Sequence, residues 1–178
     1  SYAVTVHKSQ GSEYPVVACD FMESEDVKGR GFNEFFLGGY MLHRFWPDPG
    51  RLPFMDIHQA GTREERKTYA FALADERAWR DLDRRHRFDY ALLRRTPYAG
   101  NRLIEFLDAD TSFAIVFMDD AAALYVRRDG PLAGLAARGG YRELPAGTAR
   151  LGALGAAALA DTARRARVIA ELTREAAG

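Results

Sequence analysis

Residues 113–127 read FAIVFMDDAAALYVR, and this stretch decides the architecture of the chain. Two six-residue apolar runs, Phe113–Met118 and Ala122–Arg127, flank the pair Asp119-Asp120. Short runs rich in β-branched and aromatic residues, separated by turn residues, are typical of paired strands. The pattern therefore predicts a β-hairpin that turns at the two aspartates.

Helical and strand-like patterns alternate along the rest of the chain. Their period predicts strands at 2–7, 52–58 and 90–93, and a short strand or an extended segment at 31–36. It predicts helices at 16–27, 37–46, 62–74, 76–86, 100–107 and 131–137. The helix at 62–74 begins with Thr62 and has Glu65 three residues later, which is the capping-box pattern. Together the elements indicate an α/β fold with a layered, mixed, partly parallel sheet and the antiparallel hairpin at one edge.

Composition is that of a globular protein with a real core. The chain has 178 residues, of which 47% are hydrophobic and 28% are charged. Because 25 basic residues balance 25 acidic ones, net charge gives no global argument for nucleic acid or an anionic membrane as a partner. Cys19 is the only cysteine, which excludes an internal disulfide and a cysteine-built zinc site.

Composition changes along the chain near residue 28. Four of the five serines precede this point, and arginine carries nearly all the positive charge after it. The change predicts a junction between Val17 and Lys28; chance clustering of a few serines is the alternative. We expect a leader strand and turn at 1–17, an α/β domain at 18–146 and an Ala-rich tail of one or two helices at 147–178, in a fragment of a longer protein or a fused chain.

Residues 2–17 read YAVTVHKSQGSEYPVV. The predicted strand ends at His7, and a Ser-Gln-Gly-Ser turn then brings backbone N–H groups and polar side chains to the strand's carboxyl edge. In α/β folds that edge is where ligands bind. The stretch closely resembles motif V in the C-terminal motor domain of superfamily-one DNA helicases, the RecD and UvrD-like group.

This resemblance implies that Thr5 and His7 lie near the DNA backbone, and that Gln10, Gly11 and Glu13 lie near the nucleotide. The resemblance also implies that the chain is a cytoplasmic fragment of a UvrD/RecD-like helicase C-terminal domain. Its cofactors would be ATP and magnesium, and its partner would be single-stranded DNA. A phosphate-cradling GxxxxGKS/T loop and a metal-holding acidic strand do not occur in these 178 residues. The chain therefore carries no complete catalytic site for phosphoryl transfer.

The region 19–144 carries a second resemblance, on the stretches GRGFNEFFLGGYMLHRFWP at 29–47, LPFMDIHQ at 52–59 and RFDYALLRR at 87–95. In their order these resemble the soluble extracytoplasmic domain at the C-terminal end of polytopic bacterial membrane proteins of the glycosyltransferase-like class. The resemblance implies a non-catalytic module without a cofactor, on the extracytoplasmic side of a bacterial membrane. Its partner would be the parent membrane protein or another protein.

Two groups of polar residues could form a metal site. His43, Asp56 and His58 offer two imidazoles and a carboxylate, and the last two share one face of the predicted strand 52–58. A solvated His43 and a carboxylate that caps or pairs with arginine are the favoured interpretation. For Asp119 and Asp120, the hairpin turn is a sufficient explanation.

Three further features could carry function. The basic run RAWRDLDRRHR at 77–87 could contact phosphates, although its acidic neighbours at helical spacing favour a solvated helix face. An aromatic stretch favours core packing, with a partner surface as the alternative; its members are Phe35, Phe36, Tyr40, Phe45 and Trp46. Cys19 has no histidine at motif spacing, which disfavours a thiol nucleophile.

Overall fold

The computed structural model describes residues 14–56, 61–95 and 101–177. A four-stranded mixed sheet lies at its centre, in the order β1-β2-β4-β3. The strands are β1 (Gly31–Asn33), β2 (Tyr90–Arg94), β3 (Phe113–Met118) and β4 (Ala122–Arg127). β1 runs parallel to β2, whereas β4 is antiparallel to both of its neighbours. This confirms the predicted α/β fold with an antiparallel hairpin at one edge.

Both faces of the sheet are apolar, because nearly every residue of β2, β3 and β4 is buried. Along β4 the side chains alternate between the two faces, so that Ala123 and Tyr125 point to one core while Leu124 and Val126 point to the other. The alternation breaks in β3, where the pairing register shifts between Ile115 and Phe117. A sheet with two apolar faces needs a covering layer on each side.

Three helices cover the first face: α3 (Arg63–Ala74), α4 (Glu76–His86) and α5 (Leu103–Ala109). The predicted capping box opens α3, since the Glu65 N–H donates to the Thr62 hydroxyl and the Thr62 N–H donates to the Glu65 carboxylate. Trp79 of α4 is 1% exposed. Its ring stacks on Phe88 at 5.7 Å between centroids and meets Phe32 edge-on at 5.1 Å. An aromatic cluster therefore fixes α4 against the sheet.

The second face is covered by α1 (Tyr14–Ser24), α2 (Gly38–Phe45) and α6 (Ala133–Gly139). Ala18, Cys19 and Met22 of α1 are almost fully buried in this second core, and so is Val27 after the helix. The predicted boundary at residues 17 and 18 falls inside α1. Residues on both sides of that boundary therefore belong to one helix of the folded domain.

The C-terminal tail forms a helical hairpin of α7 (Leu151–Ala160) and α8 (Thr162–Ala177). Polar contacts fasten it to the domain. The Glu171 carboxylate accepts three consecutive backbone N–H groups, from Arg142, Glu143 and Leu144, at 2.7–3.0 Å. Leu154 is the buried apolar residue of α7. None of the helices in the described part of the chain combines the length and apolar character of a bilayer-spanning helix.

Most predicted elements are confirmed within a few residues, but the predicted strand at 52–58 is wrong. Residues 52–56 form a loop, and 57–60 lie outside the described residues, as does the predicted strand at 2–7. The physical reason is a side chain: Asn33 Oδ1 accepts the N–H groups of Phe54 and Met55, at 2.7 and 3.2 Å. These groups consequently need no neighbouring strand. The predicted strand at 31–36 is also shorter, because Phe35–Leu37 forms a 3-10 turn.

The aromatic cluster gives a direct test of the first core. We expect Trp79→Ala to lower the free energy of unfolding by about 3–5 kcal/mol, because it removes a fully buried indole and leaves a cavity. Phe71→Ala on the neighbouring helix is the matched control. Its ring is 63% exposed, so the change should stay below about 1 kcal/mol. Urea unfolding followed by circular dichroism measures both; equal losses would contradict the packing described here.

Candidate functional site

The residues to which the helicase resemblance assigns DNA and nucleotide contacts all lie outside the described part of the chain. They are Thr5, His7, Gln10, Gly11 and Glu13. Their predicted roles therefore remain predictions. The described part of the same stretch is α1, whose inner side chains pack against the sheet.

Within the described residues, the obvious place for a ligand is the edge where the parallel strands β1 and β2 both end. Open α/β sheets bind ligands outside the carboxyl ends of their strands. Here Asn33 closes β1 and is fully buried. Its amide nitrogen donates to the Met55 carbonyl at 2.6 Å, while its amide oxygen accepts the two N–H groups of the following loop. Asn33 thus holds residues 54–55 beside the end of the strand.

Glu34 is the second buried polar residue at this edge, with no measurable exposure. Its Oε2 accepts the backbone N–H of Arg94 and the side-chain amide of Asn101, each at 3.1 Å. The Arg94 guanidinium lies 3.8 Å from Oε1 and stacks over the Phe36 ring. Since β1 and β2 are joined through this carboxylate, Glu34 acts as a cross-link between the two strand ends.

Tyr69 of α3 closes the same network from the helical layer. Its hydroxyl accepts the Phe35 N–H at 2.6 Å and donates to the Asn33 carbonyl at 3.3 Å. Buried polar groups of this kind are costly unless they are hydrogen-bonded. The side chains at the carboxyl edge are therefore engaged in holding strand, turn and helix together.

The hypothesis of a metal site is not supported within the described residues. His43 is exposed on α2, Asp56 lies partly buried beside Gly38, and His58 lies outside the description. Among the described residues, no group of three metal-binding side chains comes together. Asp119 serves the hairpin turn, because its Oδ1 accepts the N–H groups of Ala121 and Ala122, each at 2.8 Å.

The basic run at 77–87 is a solvated helix face, as favoured from sequence. Arg80 pairs with Glu76 and Arg84 pairs with Asp81, all on the exposed side of α4. Asp83 has a different role, because it pairs with the buried Arg127 of β4. The arginines of this face are therefore partly neutralised by acidic neighbours.

The aromatic stretch divides between core and surface. Phe45 is buried, and Phe35 and Tyr40 are partly buried. Phe36 and Trp46 remain 54% and 70% exposed. Cys19 lies in the second core, where burial raises the pKa of its thiol to about 11. A thiol with that pKa is protonated at neutral pH and is not a nucleophile.

A cleft of about 630 Å³ was not foreseen from the sequence. It lies between the domain and the helical hairpin, with Arg128, Arg142, Arg150 and Arg164 among its lining residues. These arginines come from four separate segments of the chain. No local motif links them, so only the folded structure reveals that they share one cleft.

The Gly38-Gly39 pair tests how tightly the loop beside the sheet edge is packed. A Cβ on Gly38 would lie 2.4 Å from the Met55 carbonyl oxygen, whereas one on Gly39 would meet nothing within 4 Å. We expect Gly38→Ala to lower the free energy of unfolding by about 1–3 kcal/mol. Gly39→Ala, the control, should be neutral or stabilise α2 by up to about 1 kcal/mol. Equal effects in urea unfolding would show that the loop does not press against α2.

Comparison with known proteins gives one family match. The model of the UvrD-like helicase C-terminal domain matches residues 1–29. No curated protein and no solved structure is detectably similar to the chain. The match covers the leader, α1 and the turn before β1, and it does not extend into the sheet.

Proposed function

We propose that the α/β domain is a non-catalytic module that acts by binding. The observation that carries this proposal is that the polar side chains at the carboxyl edge of the sheet hold the fold together. Asn33 and Glu34 occupy the place where a catalytic group would meet a substrate, and both are committed to backbone and side-chain partners. Within the described residues, Asp89 and Arg127 are the other buried charged side chains, and they too are paired.

For the context of this module we propose the extracytoplasmic part of a membrane protein of the glycosyltransferase-like class, with the parent protein or another protein as partner. Support comes from the positions of the residues that carry the resemblance. Gly38 lies where a side chain would collide with the loop. Asp89, in the stretch at 87–95, accepts the Arg30 N–H at 2.8 Å. Gly38 and Asp89 therefore have packing roles in the fold. The proposal needs no cofactor.

The second candidate is a fragment of a UvrD-like helicase C-terminal domain that binds single-stranded DNA with ATP and magnesium. The family match over residues 1–29 favours it. On this proposal Thr5 and His7 contact the DNA backbone, and Gln10, Gly11 and Glu13 lie near the nucleotide. The protein would then be cytoplasmic, and the α/β domain would be an appendage of a motor.

Fluorescence anisotropy of a labelled oligothymidine separates the two proposals. We expect the full chain to show no binding that depends on magnesium-ATP, and Gln10→Ala and Glu13→Ala to change nothing. The reason is that these 178 residues contain no phosphate-cradling GxxxxGKS/T loop, and their net charge is zero. Glu64→Ala, at an exposed position of α3, is the control for Glu13→Ala.

The same measurement has a distinct expected result for the second candidate, the helicase fragment. Salt-sensitive DNA binding that requires ATP, and that falls about tenfold or more on Gln10→Ala or Glu13→Ala but not on Glu64→Ala, would establish the second candidate. It would also overturn the proposal of a module without nucleotide chemistry.

A further inference from the structure

The cleft between the domain and the helical hairpin has the dimensions of a small-molecule site. Its volume is about 630 Å³, which falls within the roughly 300–1,000 Å³ of ligand pockets. Its walls come from the end of α5, the start of β3, the segment 141–145 and α7. The hairpin is fastened to the domain mainly by polar contacts such as those of Glu171.

Within the described residues, three arginines of this cleft have no ion-pair partner. Arg128, Arg142 and Arg150 form no ion pair with any carboxylate in the described part of the chain, and all three are exposed. Arg128 donates from Nε to the Phe113 carbonyl at 2.9 Å, which orients the guanidinium and leaves its terminal nitrogens available. Arg150 donates to the Asp108 carbonyl from Nη1, a terminal nitrogen. Backbone carbonyls orient these groups without neutralising them.

The carboxylates that line the cleft accept hydrogen bonds from neighbouring N–H and hydroxyl groups. Asp108 accepts the N–H groups of Ala146 and Gly147, at 3.1 and 2.8 Å, together with the Tyr125 hydroxyl at 2.7 Å. Asp110 Oδ1 accepts both the N–H and the hydroxyl of Ser112. Each of these acids therefore stabilises a turn or a loop.

Glu143 is the third acid of the cleft, and it is bridged by two arginines of α8. Arg167 and Arg164 donate to its two oxygens at 2.8 and 2.7 Å, and these hydrogen bonds lower the pKa of the carboxyl. Its charge is thus balanced within the hairpin contact. The guanidinium groups of Arg128, Arg142 and Arg150 have no equivalent partner in the described residues.

Apolar side chains also line this cleft and form its apolar wall. They are Leu107, Ile115, Tyr141, Leu144 and Leu154, which belong to the first core and are at most 9% exposed. A ligand that places an apolar body against them would cover the small apolar area that they still expose. The cleft thus combines an apolar wall with guanidinium groups, which bind phosphate, sulfonate and carboxylate oxygens through directed hydrogen bonds.

We propose that this cleft binds an amphipathic organic anion. Its phosphate, sulfonate or carboxylate group meets Arg128 and Arg142, and its apolar body lies against the wall formed around Tyr141 and Leu154. Such a site is independent of the polar network at the carboxyl edge of the sheet and of any nucleotide chemistry. It therefore holds for either family context of the chain.

A matched pair of dyes tests the proposal on the full chain. 1-Anilinonaphthalene-8-sulfonate carries the anionic group, and N-phenyl-1-naphthylamine is its neutral counterpart. We expect the sulfonate to bind more tightly, and to lose about tenfold or more in affinity in the double variant Arg128→Gln/Arg142→Gln, because charge-assisted hydrogen bonds are removed. Binding of the neutral dye should change little. Fluorescence titration measures all four affinities.

Two control variants separate the cleft from general charge and from loss of folding. Arg63→Gln/Arg77→Gln removes the same charge from exposed positions of α3 and α4 and should leave sulfonate binding unchanged. Arg128→Lys/Arg142→Lys keeps the charge and should restore most of the affinity. The proposal is overturned if the Gln variant of the cleft binds the sulfonate as the unmodified chain does, if both Gln variants weaken it equally, or if the Lys variant binds as poorly as the Gln variant.

Discussion

The structure depends on one constraint, which is that the central sheet is apolar on both faces. Tyr125 and Val126, neighbours on β4, are both inaccessible to solvent although they point to opposite sides. Neither face can be left to water, because the exposed apolar area would cost more than a domain's net stability. This requirement positions six helices: α3, α4 and α5 on one side, and α1, α2 and α6 on the other.

This constraint places α1 inside the packed domain. The family match to a helicase domain ends at residue 29, yet α1 within that match supplies Ala18 and Met22 to the second core. Because α1 packs against β3 and β4 together with α6, removing it would expose part of that face. Whatever the origin of residues 1–29, the part from Tyr14 onward now works as a covering helix. Motif and domain therefore share a structural element and cannot be separated at residue 17.

Structural elements were predictable from the sequence where interactions between residues close in the chain determine them. The hairpin, the capping box at Thr62 and the amphipathic α4 all follow from neighbours along the chain, and all are confirmed. The loop at 52–56 was not predictable, because its N–H groups are satisfied by Asn33, about twenty residues away. The composition change near residue 28 was uninformative about packing. The arginine cleft escaped prediction for the same reason as the loop, since it exists only after distant segments have come together.

The most direct test of this account is to compare two truncated chains in urea unfolding, one lacking residues 1–13 and one lacking residues 1–30. We expect the chain without residues 1–13 to unfold cooperatively, with a free energy of unfolding within about 1 kcal/mol of that of the full chain. The second lacks the helix that covers the second face and should lose cooperative unfolding. A chain without residues 1–30 that kept full stability would contradict the claim that α1 is part of the domain.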